Sequence, residues 1–343
     1  MPGNARATAG IPFGNGHRPL NMRDDRTESI EGHAAIVTRD AGNKLWGMTA
    51  PEPNLVLVDV LSGPAPRAAG TAEPFLYPDD LGAVRGDGVF ETLLVRDGHL
   101  CNTRRHEDRF LSSARMLQLP APDLEVWREA ARIALDEWAG REGSSGDASM
   151  RWVYSRGRES TGLPTGYIMV SPAAGIGDVR ERGVRVMLAE RGFTLDHGNR
   201  APWALIGAKT LSYAANMAAL RYAKENDFDD VIFVSAEGNL LEGPTSTLVL
   251  VRGRELVTPN PGEGVLAGTT QAALFDLAAQ RGWTCTTAQL TPQELYDADA
   301  VWLVSSVRIA VRVHSVDGTE LSAPGADAER EFRDLCEEAL GAE

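Results

Sequence analysis

The sequence has little lysine, few cysteines and no long apolar run, and each shortage narrows what the chain can be. Its 343 residues carry 34 Lys and Arg against 48 Asp and Glu, a formal net charge of −14. A nucleic-acid surface needs a basic face to neutralise phosphates, so nucleic acid is not expected as a partner. No stretch of about 18 apolar residues and no apolar signal core are present, which predicts a cytoplasmic protein without a membrane segment.

Metal-binding and nucleophile motifs are also missing. The three cysteines, Cys101, Cys285 and Cys336, are odd in number and far apart, and the six histidines show no paired spacing. This pattern predicts a reducing compartment and no metal site. The chain has neither a Gly-x-Ser-x-Gly elbow nor a Gly-Lys-Ser/Thr phosphate loop. Hydrolase and ATPase functions therefore lack support.

Lysine is so scarce that each copy can be considered separately. Only Lys44, Lys209 and Lys224 occur; Lys44 lies in a polar N-terminal stretch, and Lys224 lies in a polar helical run where a solvated role suffices. Lys209 follows an apolar segment and is predicted to open a helix. Desolvation and the positive helix end would both favour a neutral amine there, and a neutral amine is a nucleophile toward carbonyls. The alternative is an ordinary solvated lysine at a helix start.

Length and composition predict two domains with substantial cores, since 43% of the residues are apolar. Residues 1–52 are rich in Gly, Asn, Arg and Asp and are predicted to be a disordered extension. Met48, just before the first strong strand, is a candidate alternative start of translation. Residues 53–172 are predicted to form a small N-terminal α/β domain, residues 173–179 a linker, and residues 180–343 a large C-terminal domain.

Hydrophobic periodicity and turn residues predict the individual elements. Strands are expected at residues 55–60, 88–96, 151–155, 167–170, 184–189, 255–258 and 300–305, with a hairpin spanning residues 230–251. Helices are expected at residues 103–119, 123–139, 209–226, 270–280 and 326–340, and Thr291 with Glu294 forms a capping-box pattern before a short helix.

Two further features could carry chemistry. Glu242 follows Leu240 and Leu241 and precedes an apolar strand, so its carboxylate is expected to be partly buried and to need a cationic partner. The alternative is an exposed charge at a strand end. Thr269 and Thr270 follow Gly268 at a predicted helix start, where hydroxyls and free N–H groups form a generic anion site. Threonine at such a position also serves as a simple cap.

The order of these motifs resembles the class IV (fold type IV) pyridoxal-phosphate enzymes. The resemblance is carried by the run at residues 79–92, by His106-Glu107-Asp108-Arg109-Phe110, by Lys209, by Glu242-Gly243 and by Leu266-Ala267-Gly268-Thr269-Thr270. The 33-residue separation of Lys209 and Glu242 is also similar to that of the family. The resemblance covers about residues 55–320. It implies a two-domain α/β (α+β) fold whose larger domain has a β-barrel-like core.

The resemblance also assigns roles to residues. It implies that Lys209 links covalently to pyridoxal 5′-phosphate and moves the substrate proton, while Glu242 pairs with the pyridine nitrogen, which makes the ring an electron sink. Arg109 would bind the cofactor phosphate, helped by Thr269, Thr270 and Ser306. Members of the family are usually homodimers acting on small-molecule amino substrates. The chain departs from the pattern at Ser212, Thr247 and Gln271, which spares the central lysine, glutamate and arginine.

The substrate is harder to predict. D-amino-acid aminotransferases commonly carry an Arg-x-His carboxylate trap, but residues 156–160 read Arg-Gly-Arg-Glu-Ser, and a tyrosine common in the family is Phe90 here. Ser155-Arg156-Gly157 is similar to the lyase pattern. The resemblance therefore favours 4-amino-4-deoxychorismate lyase, with Phe90, Arg156 and Arg158 as candidate substrate-binding residues. The alternatives are an aminotransferase for D-amino or branched-chain amino acids and, more remotely, a non-catalytic binding protein.

Overall fold

The computed structural model describes residues 54–141, 144–173 and 175–341, and these belong to one compact unit. The predictions for the extension at residues 1–52, including Met48, lie outside the described residues. The described chain is a mixed α/β fold with two sheets, which confirms the predicted fold class. Its helices include none that combines the length and the apolar character needed to cross a membrane.

The first sheet is antiparallel throughout, with strand order β2-β1-β6-β5-β3-β4. Residues alternate between its two faces, as expected for strands. One face carries Val89, Leu93, Met150 and Trp152 into a core that α2 and α3 cover. The strands are β1 (Val56–Asp59), β2 (Arg67–Ala69), β3 (Gly88–Arg96), β4 (His99–Leu100), β5 (Ala148–Ser155) and β6 (Thr165–Pro172), and the helices are α1 (Leu81–Arg85), α2 (Thr103–Met116) and α3 (Leu124–Ala139).

The second sheet is an open half-barrel of mixed direction, with strand order β11-β10-β9-β12-β13-β7-β8 and β14 beside β13. Its central strands are buried on both faces, which explains their continuous apolar sequences. The strands are β7 (Val184–Glu190), β8 (Asp230–Val234), β9 (Thr247–Arg252), β10 (Glu255–Pro259), β11 (Thr284–Ala288), β12 (Ala300–Ser305), β13 (Ile309–Val316) and β14 (Thr319–Glu320). Its helices are α4 (Ile176–Arg182), α5 (His197–Arg200), α6 (Ala214–Glu225), α7 (Thr269–Gln280), α8 (Gln293–Asp297) and α9 (Ala326–Gly341).

The predicted hairpin over residues 230–251 is wrong in its second half. After the turn at residues 235–238, the chain does return along β8, because Leu241 N–H donates to the Phe233 carbonyl (2.8 Å) and Phe233 N–H to the Glu242 carbonyl (2.9 Å). The tight turn from Gly243 to Ser246 then takes the chain away, and β9 pairs with β10 and β12 instead. Glu242 consequently lies at the point where the chain leaves β8.

The predicted linker at residues 173–179 overlaps the beginning of α4 at Ile176, with residue 174 outside the described chain. Arg180 of α4 donates to Asp147 (2.9 Å), which precedes β5, and to the Val307 carbonyl (2.6 Å), which follows β12. These hydrogen bonds connect the two sheets. We propose residues 173–179 as the boundary between the two domains.

Candidate active site

A cavity of about 550 Å³ lies between the two sheets and contains most of the residues singled out in the sequence. One wall is the outer face of β3 and β5, and the others come from the segment before α6, the turn before β9, the start of α7 and the loop after β12. The lining residues include Phe90, Arg109, Arg151, Lys209, Tyr213, Glu242, Thr247, Thr269, Thr270, Ser306 and Arg308.

Lys209 reaches this cavity from an extended segment, because α6 begins only at Ala214. The prediction that Lys209 opens a helix is therefore wrong, and the helix end does not explain its chemistry. Its backbone N–H donates to the Ser113 hydroxyl (3.1 Å), and its carbonyl accepts from Phe90 N–H (3.0 Å), so its main chain is fixed on both sides. Burial in the cavity, together with the charge of Arg109, lowers the pKa of the Lys209 amine to about 8.

Glu242 lines the same cavity, and its carbonyl accepts a hydrogen bond from Phe233 N–H of β8 (2.9 Å). Burial raises the pKa of its carboxyl to about 7, although the Leu266 N–H and the charges of Lys209, Arg191 and Arg109 act in the opposite direction. Ionisation of the Glu242 carboxyl therefore costs free energy in the cofactor-free protein. A cation or an N–H donor in the cavity would stabilise the ionised form. This agrees with the expected need for a cationic partner.

Arg109 projects from α2 and is fixed by a buried carboxylate. Its Nε and Nη2 donate to the two oxygens of Glu91 at 2.8 and 2.7 Å, and Nη1 donates to the Ala267 carbonyl at 3.0 Å. Burial would raise the pKa of Glu91, but Arg109 and His106 outweigh it and bring that pKa down to about 2. Glu91 therefore stays ionised, and the guanidinium is oriented before any ligand arrives.

His106 connects the same carboxylate to a group of hydroxyls. Its Nδ1 lies 2.7 Å from Glu91 Oε2, and its Nε2 lies 3.1 Å from Ser306 Oγ and 3.3 Å from Thr269 Oγ1. Burial lowers the pKa of His106 against the pull of Glu91, which favours the neutral ring. A neutral ring that donates from Nδ1 to Glu91 leaves Nε2 to accept a hydroxyl hydrogen.

The beginning of α7 is an anion-binding arrangement. The cap residue Gly268 has no side chain to occupy the free N–H groups, and a Cβ there would clash with Thr247 Oγ1. Thr270 Oγ1 is buried without a hydrogen-bond partner among the described residues. Asn102 fixes this end of the helix by donating to the Thr269 carbonyl (3.0 Å). Unused donors at a helix N-terminus beside Arg109 fit a phosphate group.

The candidate substrate residues are placed differently from one another. Phe90 lines the cavity and makes an edge-to-face contact with Tyr213, with ring centroids 5.3 Å apart. Lys209 Nζ lies 4.5 Å from the centroid of the Phe90 ring. Arg156 and Arg158 do not line the cavity. Arg156 donates to Asp87 (2.7 Å) and to the Leu117 carbonyl (2.7 Å), while Arg158 pairs with Asp79 (3.1 Å) and lies over the Tyr77 ring.

Several cavity residues were not found from the sequence. Arg151 lies on an ordinary strand, and Tyr213 lies in the lead-in to α6, so neither has a local signal. Arg308 stands two residues after Ser306 and pairs with Asp230 (2.6 Å). Glu91 and His106 lie inside the motifs at residues 79–92 and 106–110, but the sequence assigned them no role. A glutamate on a buried strand, followed by His-x-x-Arg on the next helix, could have indicated their contact. Among the described residues, no cluster of three His, Cys, Asp or Glu is placed to hold a metal.

These features define the class of the protein. The family model described as Amino-transferase class IV matches residues 88–316, and the chain belongs to this family. It is therefore an enzyme of a family that depends on pyridoxal phosphate.

Individual relatives agree with this assignment. The chain is 45% identical over 275 residues, 78% of its length and 94% of the relative, to a bifunctional aminodeoxychorismate lyase / D-amino acid transaminase of Mycobacterium tuberculosis. It also resembles the solved pyridoxal-phosphate-bound form of a hypothetical aminotransferase from the same organism (43% identity, TM-score 0.79, 84% of this chain and 99% of that one). A fold IV transaminase from Curtobacterium pusillum is similar (39% identity, TM-score 0.78, 84% and 98%).

Proposed function

We propose that this chain is a pyridoxal-phosphate-dependent 4-amino-4-deoxychorismate lyase, which converts its substrate into 4-aminobenzoate and pyruvate. The observation that carries the proposal is that Lys209, Glu242 and the anion-binding start of α7 line one cavity. A nucleophilic amine, a carboxylate and a phosphate site are the three contacts that such a cofactor requires. The 45% identical relative, whose name includes the lyase activity, supports the same choice.

The residues present fit the cofactor. The orphaned Thr270 hydroxyl, the free N–H groups after Gly268 and the oriented Arg109 would hold its phosphate, with Ser306 and Thr269 beside them. Glu242, whose carboxylate is destabilised by burial, would be relieved by the protonated pyridine nitrogen. When bound, pyridoxal phosphate supplies an aldehyde for amine exchange and a ring that withdraws electrons from the substrate.

The protein's own groups then carry out the proton chemistry. Lys209 takes the proton from the ring carbon that bears the substrate amine, for which a pKa of about 8 is suited near neutral pH. Loss of that proton and cleavage of the bond between the substrate ring and the enolpyruvyl oxygen make the substrate ring aromatic. Protonation of the released enolpyruvate gives pyruvate. Glu242 would keep the pyridine nitrogen of the bound cofactor protonated. Tyr213, whose pKa is raised to about 12 mainly by burial, stays protonated and donates to the Pro244 carbonyl (2.6 Å).

The test uses purified protein and 4-amino-4-deoxychorismate in the absence of any keto acid. We expect stoichiometric release of pyruvate and 4-aminobenzoate, because elimination needs no amino acceptor. Lys224→Ala serves as the active control and Lys209→Ala as the inactive one. Failure to release pyruvate, together with amino transfer from a D-amino acid to 2-oxoglutarate, would replace the lyase assignment with the second candidate.

That second candidate is an aminotransferase for D-amino or branched-chain amino acids. The relative's bifunctional name favours it as an additional activity, because the same lysine can move a proton from a substrate α-carbon. Its test is the transfer reaction described above. A cofactor-free binding protein on this scaffold would instead leave the visible absorption of added cofactor unchanged by the protein.

We also propose a cytoplasmic homodimer acting on a small amino substrate. The exposed apolar side chains of Trp203 (79%) and Leu163 (67%) are candidate contacts for a second copy of the chain. Sedimentation velocity at several concentrations tests the assembly, and a monomer at micromolar concentration would contradict it.

A further inference from the structure

Ser113 of α2 contacts the main chain of the cavity lysine from behind. The serine is buried, and its hydroxyl accepts a hydrogen bond from the Lys209 N–H at 3.1 Å. On the other side, the Lys209 carbonyl accepts from the Phe90 N–H of β3 at 3.0 Å. The two polar groups of the Lys209 main chain are therefore held by two different elements, the N–H by α2 and the carbonyl by β3.

The segments before and after Lys209 show what the N–H contact adds. The Leu211 N–H donates to the Gly88 carbonyl (2.8 Å), so the chain after the lysine is joined to β3. In the loop before the lysine, the Ala208 N–H donates to the Leu205 carbonyl (3.0 Å), which is a local turn. The serine hydroxyl thus joins α2 to the chain at the point where this loop meets the lysine.

The same helix carries the arginine of the proposed phosphate site. His106, Arg109 and Ser113 follow one another at spacings of three and four residues, which places them on one side of α2. Arg109 and Ser113 are separated by one turn, which is about 6 Å along the helix axis. One helix therefore contacts both the anion-binding region and the main chain of the lysine.

We propose that Ser113 is a positioning residue, whose hydroxyl holds the Lys209 main chain at a fixed distance from Arg109. The inference rests on the proposed linkage of Lys209 to pyridoxal phosphate, and it holds equally for the lyase and for the aminotransferase. Without the hydroxyl, the Lys209 N–H loses its partner and the loop before it gains freedom. Linkage of the lysine must then order this segment, which weakens binding of a linked cofactor and spares binding of an unlinked one.

The experiment compares Ser113→Ala, Ser113→Cys and the matched control Ser112→Ala, which removes the exposed hydroxyl next along the same helix. Each cofactor-free protein is titrated by calorimetry with two probes. Pyridoxal phosphate can link to Lys209, whereas pyridoxamine phosphate carries an amine in place of the aldehyde and cannot. The visible absorption of the lysine-linked cofactor is recorded in parallel. Because the probes share the phosphate and the ring, the ratio of their dissociation constants reports the position of the lysine.

Ser113→Ala should bind pyridoxal phosphate about tenfold more weakly than the unmodified protein, because linkage must order a segment that the hydroxyl otherwise holds. Its affinity for pyridoxamine phosphate should stay within about twofold. Ser113→Cys keeps the side-chain volume but accepts hydrogen bonds weakly, so its affinity for pyridoxal phosphate should lie between the two. Ser112→Ala should match the unmodified protein with both probes.

An unchanged affinity of Ser113→Ala for pyridoxal phosphate would overturn the inference. Equal weakening of both probes would also overturn it, because that result indicates a general loss of structure. If Ser113→Ala does not fold, the same ratio measured on Ser113→Cys decides between these outcomes. If the unmodified protein forms no visible band with pyridoxal phosphate, the proposed function fails instead, so the two failures are distinguishable.

Discussion

The carboxylate of Glu91 accepts hydrogen bonds from both Nε and Nη2 of Arg109, at 2.8 and 2.7 Å, and is itself completely buried. The same carboxylate accepts from His106, whose far nitrogen contacts the hydroxyls of Ser306 and Thr269. One strand residue thus positions the arginine, the histidine and, through the histidine, two hydroxyls of the proposed phosphate site. This preorganisation lets the site bind an anion without first rearranging.

Glu91→Gln should weaken cofactor binding about 10- to 100-fold, because it removes the charge that orients Arg109 and leaves that guanidinium buried without compensation. The measurement is the dissociation constant of pyridoxal phosphate, with unfolding followed in parallel. Glu107→Gln is a matched control: Glu107 binds Arg128 in the same two-point geometry (2.8 and 2.7 Å) outside the cavity. A Glu91→Gln protein with unchanged cofactor affinity would refute the positioning role.

Thr270→Val should stabilise the cofactor-free protein by about 1 kcal/mol and weaken cofactor binding about tenfold. The hydroxyl has no hydrogen-bond partner within residues 54–141, 144–173 and 175–341, so an isosteric methyl removes a desolvation cost, while a bound phosphate would lose a donor. Thr258→Val is the contrast, because its hydroxyl already donates to the Leu248 carbonyl (2.6 Å). That variant should lose stability and keep its cofactor affinity. Destabilisation of cofactor-free Thr270→Val would contradict the assignment.

Glu242→Gln should lower activity roughly 100-fold, since an amide cannot hold the pyridine nitrogen protonated. Its effect on stability has the opposite direction. The folded-state pKa of about 7 exceeds the ordinary value of 4.5, so ionisation costs free energy as pH rises through this interval. Cofactor-free Glu242→Gln should therefore be about 1–3 kcal/mol more stable than the unmodified protein above pH 7, and equal to it below about pH 4.5.

Glu294→Gln is a control in which the change in stability should have the opposite sign to that of Glu242→Gln. Burial acts to raise the pKa of Glu294, but the Thr291 N–H and Arg252 outweigh it and lower the pKa. Its ionised form therefore stabilises the fold, and the glutamine variant should be less stable at neutral pH. Denaturant unfolding across this pH range measures both variants. A Glu242→Gln protein that is less stable at pH 8 would show that the carboxylate is satisfied in the free enzyme.

The amine of Lys209 should react at lower pH than an ordinary lysine in the cofactor-free protein. With a pKa of about 8, its reactive fraction rises about tenfold per pH unit below 8 and then levels off. Reductive methylation read by peptide mass spectrometry measures this rate, with N-acetyl-lysine in the same solution as reference. A Lys209 rate that keeps rising in parallel with the reference up to about pH 10 would refute the lowered pKa.

The sequence identified residues that line the cavity better than it predicted how the chain reaches them. Lys209 and Glu242 could be singled out because a rare lysine and a glutamate within apolar residues are locally unusual. The long buried strands were recognised for the same reason. The end of the hairpin at Gly243 was missed, because which strand pairs with which is decided by distant partners of β9. The start of α6 was missed because Lys209 pairs with β3, a tertiary contact that overrides local propensity.

Long-range pairing also decides which arginines line the cavity. Arg156 belongs to a motif and was therefore predicted to bind substrate. In the structure its guanidinium donates to Asp87, which is distant in sequence. Arg151 has no motif and faces the cavity only because of strand alternation and the position of the second sheet. Glu91 illustrates the same limit, since its three contacts come from a helix that follows it in sequence and folds back onto its strand.

The most direct measurement of the central claim is the absorption and activity of Lys209→Ala beside Lys224→Ala. We predict that Lys209→Ala folds normally by circular dichroism, lacks the visible band of lysine-linked cofactor and turns over at less than about one-thousandth of the unmodified rate. Lys224→Ala should match the unmodified enzyme in both. A Lys209→Ala protein that keeps the band and the activity would contradict the entire assignment of this site.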